Sequence, residues 1–191
     1  MNLLHRPAFH KTIIWSALYH RALSSLSSSA SALNVAVISG STRTSGPPVV
    51  NGPRVASFIT NELERRGNVV TLVDPREFSM MEKPEFCYAR KDVPEKLEHF
   101  KSIFLKADAY VCITPEYNHA PSPGLVNVLN HFGSSVFSFK PSAIVSYSAG
   151  QWGGTRAAVA LRPILSELGA LPGKFQVFIW ISDIAELILF L

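Results

Sequence analysis

From residue 33 onward the sequence alternates between short apolar runs and segments with helical periodicity. The apolar runs have the length of strands, and continuous runs of this kind are typical of parallel strands covered on both faces. They lie at 33–39, 69–73, 109–113, 142–147 and 175–180. The pattern therefore predicts five buried strands separated by helices.

Start signals place the intervening helices. Pro53 is expected to open the first, and Asp92 with Glu95 three residues later has the form of a capping box for the second. Ser122 and Pro123 suit the N-cap and first position of the third, and the fourth is expected over 154–169. This succession predicts an α/β fold, a doubly wound five-stranded parallel sheet of strand order 2-1-3-4-5.

This strand order also predicts where a ligand binds. In open parallel sheets the ligand lies beyond the carboxyl ends of the strands, where the strand order reverses. With order 2-1-3-4-5 the first, third and fourth strands end beside one another. We therefore expect the loops at 40–51, 114–122 and 146–154 to form one site.

The charge distribution gives little support to a nucleic-acid partner. The net charge is +4, but Arg6, Lys11 and Arg21 precede residue 33, and the first acidic residue is Glu62. The remaining chain carries no Lys- or Arg-rich run, as a nucleic-acid footprint requires. No nucleic-acid partner is expected.

The first 32 residues form an N-terminal extension, and 33–191 form the domain. The extension contains Arg and Ser and no acidic residue, which is the composition of a mitochondrial transit peptide. Two alternatives are a secretory signal built on the run TIIWSALY and a disordered extension without a targeting function. Residues 181–191 are too short to span a bilayer, and no membrane span is expected. We expect a cytoplasmic protein, or a mitochondrial one if 1–32 is a transit peptide.

Two cysteines are too few for a disulfide scaffold or a zinc cluster. Cys112 lies in an apolar strand, where a buried free thiol is expected, while Cys87 lies between predicted elements. These features indicate a reducing compartment, and no metal site is predicted.

The first loop, GSTRTSGPPVVN, suits a phosphate monoester. It combines the hydroxyls of Ser41, Thr42, Thr44 and Ser45 with the Arg43 guanidinium and the amides of the following helix. It is neither a Walker loop nor a G-x-G-x-x-G fingerprint.

The second loop follows the third apolar run, which we expect to end at Ile113, shortly before Pro115. The prolines fix the backbone, so the amides of 116–118 can face a planar polar ligand. Tyr117 can stack on such a ligand and Asn118 can both donate and accept hydrogen bonds, while His119 is expected to line the site.

The third loop, SYSAGQWGG, is not a nucleophile elbow. Ser146 stands where that motif requires its first glycine, and no histidine follows Ser148 to complete a triad. Gly150 and Gly153 instead allow the backbone to approach a ligand closely, and Trp152 offers an aromatic wall.

With these loops the sequence resembles the NADPH-dependent FMN reductase family of flavodoxin-like quinone reductases and azoreductases. The likeness runs from about Leu33 to Pro172, and the match fades from Gly173 onward. The matching motifs are Gly40-Ser41-Thr42-Arg43, Thr114-Pro115-Glu116-Tyr117-Asn118, and Tyr147-Ser148-Ala149-Gly150 with Gly153-Gly154. The first loop departs from the family by inserting Pro47-Pro48-Val49-Val50 before its helix.

The resemblance implies bound FMN in a flavodoxin-like fold. Its phosphate would contact Ser41, Arg43 and Ser45. Its ring would rest against the turn at 115–118 and the loop at 147–150, and Gly153 is also expected to contact the cofactor. No side-chain acid or base is expected, since the flavin performs the chemistry, and Tyr117 and His119 are candidates to touch substrate.

The function implied is transfer of a hydride from NADPH or NADH through FMN to a quinone-like acceptor by a ping-pong mechanism. A homodimer or higher homo-oligomer is expected. The segment 74–92, which contains Met80, Met81, Phe86 and Tyr88, either covers the flavin or helps to form the subunit contact, or is simply a packed surface loop. A flavodoxin-type electron carrier is the alternative from another class, and a non-catalytic family member is a third.

Overall fold

The structure is a computed structural model that describes residues 31–47, 49–81 and 91–180. The compact unit that carries the sheet spans Leu33–Leu191. Nearly all of the predicted extension at 1–32 lies outside the described ranges, as do Phe86, Tyr88 and Cys87. The expectations for these residues stay predictions.

Six strands form within the described ranges. They are β1 (Asn34–Ser39), β2 (Val69–Val73), β3 (Ala109–Tyr117), β4 (Ala120–Pro121), β5 (Pro141–Ser148) and β6 (Leu171–Trp180). The helices are α1 (Gly52–Arg65), α2 (Glu95–Lys106), α3 (Pro123–Asn130), α4 (Ser134–Phe137) and α5 (Thr155–Glu167), with a 3₁₀ turn at Pro75–Glu77.

The sheet has the order β2-β1-β3-β5-β6, and its neighbouring strands are parallel. The two-residue β4 is an additional strand that pairs only with β3 and lies off the main path of the sheet. The fourth and fifth predicted strands are therefore β5 and β6, and the predicted order 2-1-3-4-5 is confirmed. Val37 is in register with Val111, and Ile113 with Val145. The carboxyl ends of β1, β3 and β5 are therefore adjacent.

The third strand is longer than predicted. It does not stop at Ile113, before the proline, but continues through Pro115 to Tyr117, and Pro115 is in register with Tyr147 of β5. The pairing of β3 with β1 ends at Ile113, so the proline lies where β3 has lost one parallel neighbour. A proline is tolerated in an edge position of this kind, because a missing donor there breaks no ladder.

The helix starts are partly as predicted. Ser122 is the N-cap of α3, its side chain accepting a hydrogen bond from the Leu125 amide at 3.3 Å. The predicted capping box at Asp92 is wrong, since Pro94 occupies the N-cap position of α2. Proline has no N–H of its own to satisfy, and Glu95 and Glu98 place carboxylates in the first turn, where the helix dipole favours them.

Apolar side chains cover both faces of the sheet. On one face Val35, Val37 and Val111 pack with Val55 and Ala56 of α1. The other face holds a cluster of tilted and edge-to-face rings contributed by α2, β3, α4 and the segments that follow the 3₁₀ turn and α3. Its members are Phe78, Phe100, Phe104, Tyr110, Phe132 and Phe137. The two-sided core explains why the strands read as continuous apolar runs.

Two smaller expectations have a structural outcome. Cys112 is a buried free thiol, as predicted, and burial raises its pKa to about 12, so it stays protonated. Within the described ranges, no helix is both long and apolar enough to cross a bilayer.

Candidate functional site

A cavity of about 150 Å³ joins the three loops at the carboxyl ends of β1, β3 and β5. Eight of the predicted site residues line it: Ser41, Arg43, Pro115, Glu116, Tyr117, Tyr147, Ser148 and Ala149. Ser45, Asn118, His119, Gly150 and Gly153 are not part of this lining. We call this space the central cavity.

Four further residues line the central cavity and were not singled out from the sequence: Val49, Val50, Asn51 and Gly52. They belong to the insertion in the first loop and to the start of α1. Val49 and Val50 of the insertion therefore form part of the cavity wall. Their position in the sequence could have indicated this role. They lie at the N-terminus of the helix that follows β1, and a helix N-terminus in this position commonly faces an anionic ligand.

Ser41, Gly52 and Tyr147 meet tightly at the inner end of the cavity. A Cβ placed on Gly52 would lie 2.3 Å from the Ser41 Cβ and 2.9 Å from the Tyr147 hydroxyl oxygen. Only glycine allows this approach. Burial raises the pKa of Tyr147 to about 12, against the opposing effect of a hydrogen bond with Ser41, so the phenol is neutral at physiological pH.

Positive potential is concentrated at the same end. The half-buried Arg43 donates from Nη2 to the Gly46 carbonyl oxygen at 3.2 Å, which folds the loop back on itself. The first turn of α1 contains no acidic residue, and Asn51 at its N-cap makes no side-chain capping bond to the helix. The helix dipole and the guanidinium together favour an anion here.

Glu116 ties the second loop to the third. Its Oε2 accepts hydrogen bonds from the amides of Arg156 at 3.0 Å and Ala157 at 3.1 Å, in the first turn of α5. The N-cap of α5 is Gly154, which has no side chain to cap the helix, and the carboxylate takes its place. Glu116 therefore lies in the cavity wall with its carboxylate already occupied.

The chain reverses at Asn118 and His119. Both have positive φ, 50° and 64°, and Tyr117 pairs with Ala120 across the turn, as in a two-residue hairpin with a type I′ geometry. Asparagine is among the residues that best accept this conformation. The turn leaves Tyr117 41% exposed at the rim of the central cavity.

The third loop is held by its own serines. The Gly150 amide donates to Ser148 Oγ at 3.1 Å, and Ser146 Oγ donates to the Gly153 carbonyl oxygen at 3.2 Å. A hydroxyl that accepts one hydrogen bond keeps its own proton to donate. Ser148, which lines the cavity, is thus set to donate to a ligand, whereas the Gly150 amide is occupied within the loop.

These residues fit FMN in chemistry. The inner end of the cavity offers a hydroxyl, a guanidinium and a helix N-terminus, which suit a phosphate monoester, and the rim offers an aromatic ring. Pockets that enclose a drug-sized molecule measure about 300–1,000 Å³. The central cavity is smaller than this, and its volume suits the phosphate end of the cofactor.

Known proteins similar to this chain are described as reductases. A quinone reductase from Pseudomonas putida is 37% identical over 76 residues, covering 38% of this chain and 41% of that protein. A NADPH azoreductase from Bacillus sp. is 35% identical over 72 residues, covering 38% of this chain and 40% of that protein. The aligned part of the chain spans about two fifths of the length of these relatives.

Solved structures share the fold at low identity. The flavoenzyme NAD(P)H:(acceptor) oxidoreductase from Paracoccus denitrificans superposes with a TM-score of 0.63 at 22% identity, covering 79% of this chain and 81% of that one. An oxidoreductase from Corynebacterium diphtheriae gives 0.60 at 18% identity, covering 81% and 85%. These likenesses confirm the predicted flavodoxin-like α/β architecture.

The family itself follows from a match along most of the chain. Residues 33–180 match the family described as NADPH-dependent FMN reductase, a range that contains all three loops. That description names FMN and NADPH, the cofactor and the reductant that the motifs implied. This chain belongs to the NADPH-dependent FMN reductase family, as its three loop motifs predicted.

Proposed function

We propose that the chain is an FMN-dependent NAD(P)H oxidoreductase of the quinone reductase type. The observation that carries the proposal is the central cavity, in which groups suited to a phosphate and an aromatic ring meet at the ends of β1, β3 and β5. Family membership supports it, as do relatives described as quinone reductase and 2-hydroxy-1,4-benzoquinone reductase.

The phosphate end of FMN would be held by the first loop. Ser41 offers a hydroxyl, Arg43 offers charge-assisted donors, and the N-terminus of α1 adds its dipole. Ser45 is exposed and outside the cavity lining, so it could contribute only at the outer edge of the loop. The neutral phenol of Tyr147 forms a hydrogen bond with Ser41, which would hold the serine hydroxyl in place.

The ring end would lie between the second and third loops. When bound, FMN supplies the redox chemistry, accepting a hydride from NAD(P)H and delivering it to the acceptor. Tyr117 provides an aromatic surface at the rim, and Ser148 provides an oriented donor in the wall. A fixed donor in such a wall stabilises negative charge without reorganisation. Glu116 acts by holding the two loops together.

Reductant and acceptor are proposed to use the same open rim in turn. In the part of the chain that the structure describes, the central cavity is the space where the three loops meet, and it opens beside Tyr117. If both substrates use the same opening, the oxidised nicotinamide must leave before the acceptor binds, and this order gives ping-pong kinetics. We further propose a quinone-like acceptor, a homodimer and a cytoplasmic location; the exposed Val49, Tyr117 and Trp152 offer apolar surface for a subunit contact.

Initial rates of the FMN-saturated chain test this proposal, with NADPH and 1,4-benzoquinone varied together. Parallel double-reciprocal lines are expected. Intersecting lines would exclude alternating use of one rim, and the absence of any NADPH oxidation above the rate of free FMN would contradict the oxidoreductase itself.

A further inference from the structure

One aromatic side chain is unusually exposed at the end of the sheet opposite the central cavity. Phe139 precedes β5, which begins at Pro141, whereas the central cavity takes Tyr147 and Ser148 from the other end of the same strand. Phe139 is 89% exposed, the largest value among the large apolar side chains of the described residues. A single exposed apolar residue is ordinary in itself, but the backbone of this one is not.

The backbone of Phe139 is in the left-handed region, with a φ of 64°. For a bulky residue this conformation is an outlier, and it persists only where the surrounding structure fixes it. Here the Phe139 amide donates to the Gly169 carbonyl oxygen at 2.9 Å, and the Leu171 amide donates to the Lys140 carbonyl oxygen at 2.8 Å. Glycine would suit the position better, so in a single chain the phenyl ring is unfavourable for both its exposure and its backbone.

A cavity of about 300 Å³ adjoins this residue. Asn130 lines it from the end of α3, Ser134 and Ser135 from α4, and Glu167 and Leu168 from the end of α5. Leu168 directly precedes the glycine whose carbonyl holds the Phe139 amide, and α4 ends just before Phe139. The ring and the cavity, which we call the α4 cavity, therefore belong to one surface patch. A volume of this size is ample for a phenyl ring.

The charges of this patch are complementary. Glu167, in the lining of the α4 cavity, is exposed and forms no salt bridge among the described residues. Lys140, directly after Phe139, donates from Nζ to the carbonyl oxygens of Phe104 at 2.9 Å and Leu105 at 2.8 Å. An ammonium group has three N–H donors, so one is left for an acid. The ring thus has a cation beside it, and the cavity carries an unpaired acid.

A patch with both a projecting ring and a recess of suitable size can pair with a copy of itself. In a twofold interface the same patch serves both subunits, and each contact occurs twice. An aromatic side chain buries about 150–250 Å², so two rings, with the exposed Leu171 beside each, supply an apolar centre for such a contact. An unrelated partner would account for the ring or for the cavity, but not for their position side by side.

We propose that this patch is a twofold interface between two copies of the chain, in which Phe139 of each copy fills the α4 cavity of the other. Lys140 then approaches Glu167 across the interface. The contact lies at the opposite end of β5 from the rim contact proposed above, and it does not depend on FMN binding. The chain forms a dimer where this interface forms alone, and a tetramer where the rim contact forms as well.

Phe139→Gly tests the interface, because glycine accepts a φ of 64° without strain and removes the ring. The variant should fold, and the dissociation constant of one association step should rise at least tenfold. Phe139→Ser should act in the same direction. Size-exclusion chromatography with light scattering, over a concentration series of the full chain, measures this. Val159→Ala is the control, because Val159 is 57% exposed on α5 but lies outside the cavity lining, and it should leave association unchanged.

A mixing experiment tests the pairing of ring and cavity. Ser135→Trp places a large side chain in the α4 cavity and should also weaken association at least tenfold. Phe139→Gly chains keep an open cavity, and Ser135→Trp chains keep the ring, so a mixed pair retains one of the two contacts. The mixture should therefore associate more tightly than either variant alone. A mixture no tighter than its components would contradict the reciprocal contact.

The wild-type chain decides whether the interface exists. A chain that is monomeric at every concentration, or an assembly that both Phe139 variants leave unchanged, would overturn the proposal. FMN uptake, followed by the quenching of flavin fluorescence, keeps this result apart from the proposed function. A monomeric chain that takes up FMN overturns the interface alone, and a chain that associates through Phe139 but takes up no FMN contradicts the proposed function alone.

Discussion

Glu116 Oε2 accepts a hydrogen bond from the backbone amide of Ala157 at 3.1 Å, and this contact joins two of the three loops around the central cavity. Glu116 stands in the motif that resembles FMN reductases, where the sequence indicates a flavin contact. In the structure its carboxylate completes the N-terminus of α5, since Gly154 cannot. The motif therefore serves the architecture of the site, because it links the second loop to the start of α5.

Replacing Glu116 should destabilise the fold through this cap. Glu116→Ala leaves the Arg156 and Ala157 amides without their acceptor and should cost roughly 1–2 kcal/mol in the free energy of unfolding, the usual size of a lost cap. Glu116→Gln keeps an oxygen acceptor and should cost less. Urea denaturation of each variant measures the effect.

Glu64→Ala is the control for this series, because Glu64 is an exposed acid near the end of α1 for which the described residues show no salt bridge. It should change stability by less than about 0.5 kcal/mol. If Glu116→Gln lost FMN affinity at unchanged stability, the carboxylate would be a ligand contact and its capping role would be secondary.

The two serines of the first loop should differ in their effect on FMN affinity. Ser41 lies in the central cavity and is largely buried, whereas Ser45 is exposed and outside its lining. Ser41→Ala should weaken FMN binding by about 0.5–1.5 kcal/mol, and Arg43→Ala by about 1.5–3 kcal/mol because its bonds are charge-assisted. Ser45→Ala should have little effect. A larger loss from Ser45→Ala than from Ser41→Ala, in a fluorescence titration, would place the phosphate elsewhere.

Gly52 should tolerate no side chain. A Cβ there would lie 2.6 Å from Ser41 Oγ as well as close to the Tyr147 hydroxyl, so Gly52→Ala must displace the serine. We expect a loss of FMN affinity at least as large as that of Ser41→Ala. Gly150→Ala is the comparison, because its Cβ would meet only Ser148 Oγ, at 3.5 Å. Normal FMN binding by Gly52→Ala would show that FMN does not contact the inner end of the cavity, where Ser41, Gly52 and Tyr147 meet.

Tyr147 should make stability depend on pH in the alkaline range. Burial raises its pKa from 10.0 to about 12, so its contribution is complete below pH 10 and is lost as the pH rises toward 12. Tyr147→Phe removes this dependence, and the difference in unfolding free energy between wild type and variant should fall by on the order of 2 kcal/mol between pH 10 and 12. Tyr110, whose pKa burial also raises, contributes equally to both proteins and cancels. A difference that is constant with pH would contradict the buried, neutral phenol.

The sheet could be predicted from the sequence because each central strand is a continuous apolar run. Val37 and Val111 are buried in the middle of the sheet, so local pattern and final environment agree. The extension of β3 through Pro115 could not be predicted in the same way. It depends on the parallel pairing with Tyr147, which is a contact between distant parts of the chain.

The candidate site was predictable to the level of loops and less so to the level of atoms. The adjacency of the three loops follows from strand order, and the cavity includes Ser41, Tyr117 and Ala149 from all three. The partners of Glu116 and of the Gly150 amide were not predictable, because both depend on how one loop packs against a helix end or against itself. Sequence spacing does not encode such contacts.

A second cavity, beside the central cavity and lined in part by Arg43 and Asp74, illustrates a further limit. Asp74 and Arg76 look in sequence like an ordinary turn after a strand, and their pairing with each other is local. Thr60 lies on a helix four positions after Ala56 and has no distinguishing context. Only the parallel βαβ packing brings these residues to one wall beside Arg43.

The most direct test of the central claim is the visible absorption spectrum of the purified full chain, recorded before and after anaerobic addition of NADPH. We expect flavin bands, either in the protein as purified or after FMN addition and gel filtration, that bleach on NADPH and return when benzoquinone is added. A colourless chain that retains no FMN, or a bound flavin that NADPH does not bleach, would contradict this claim.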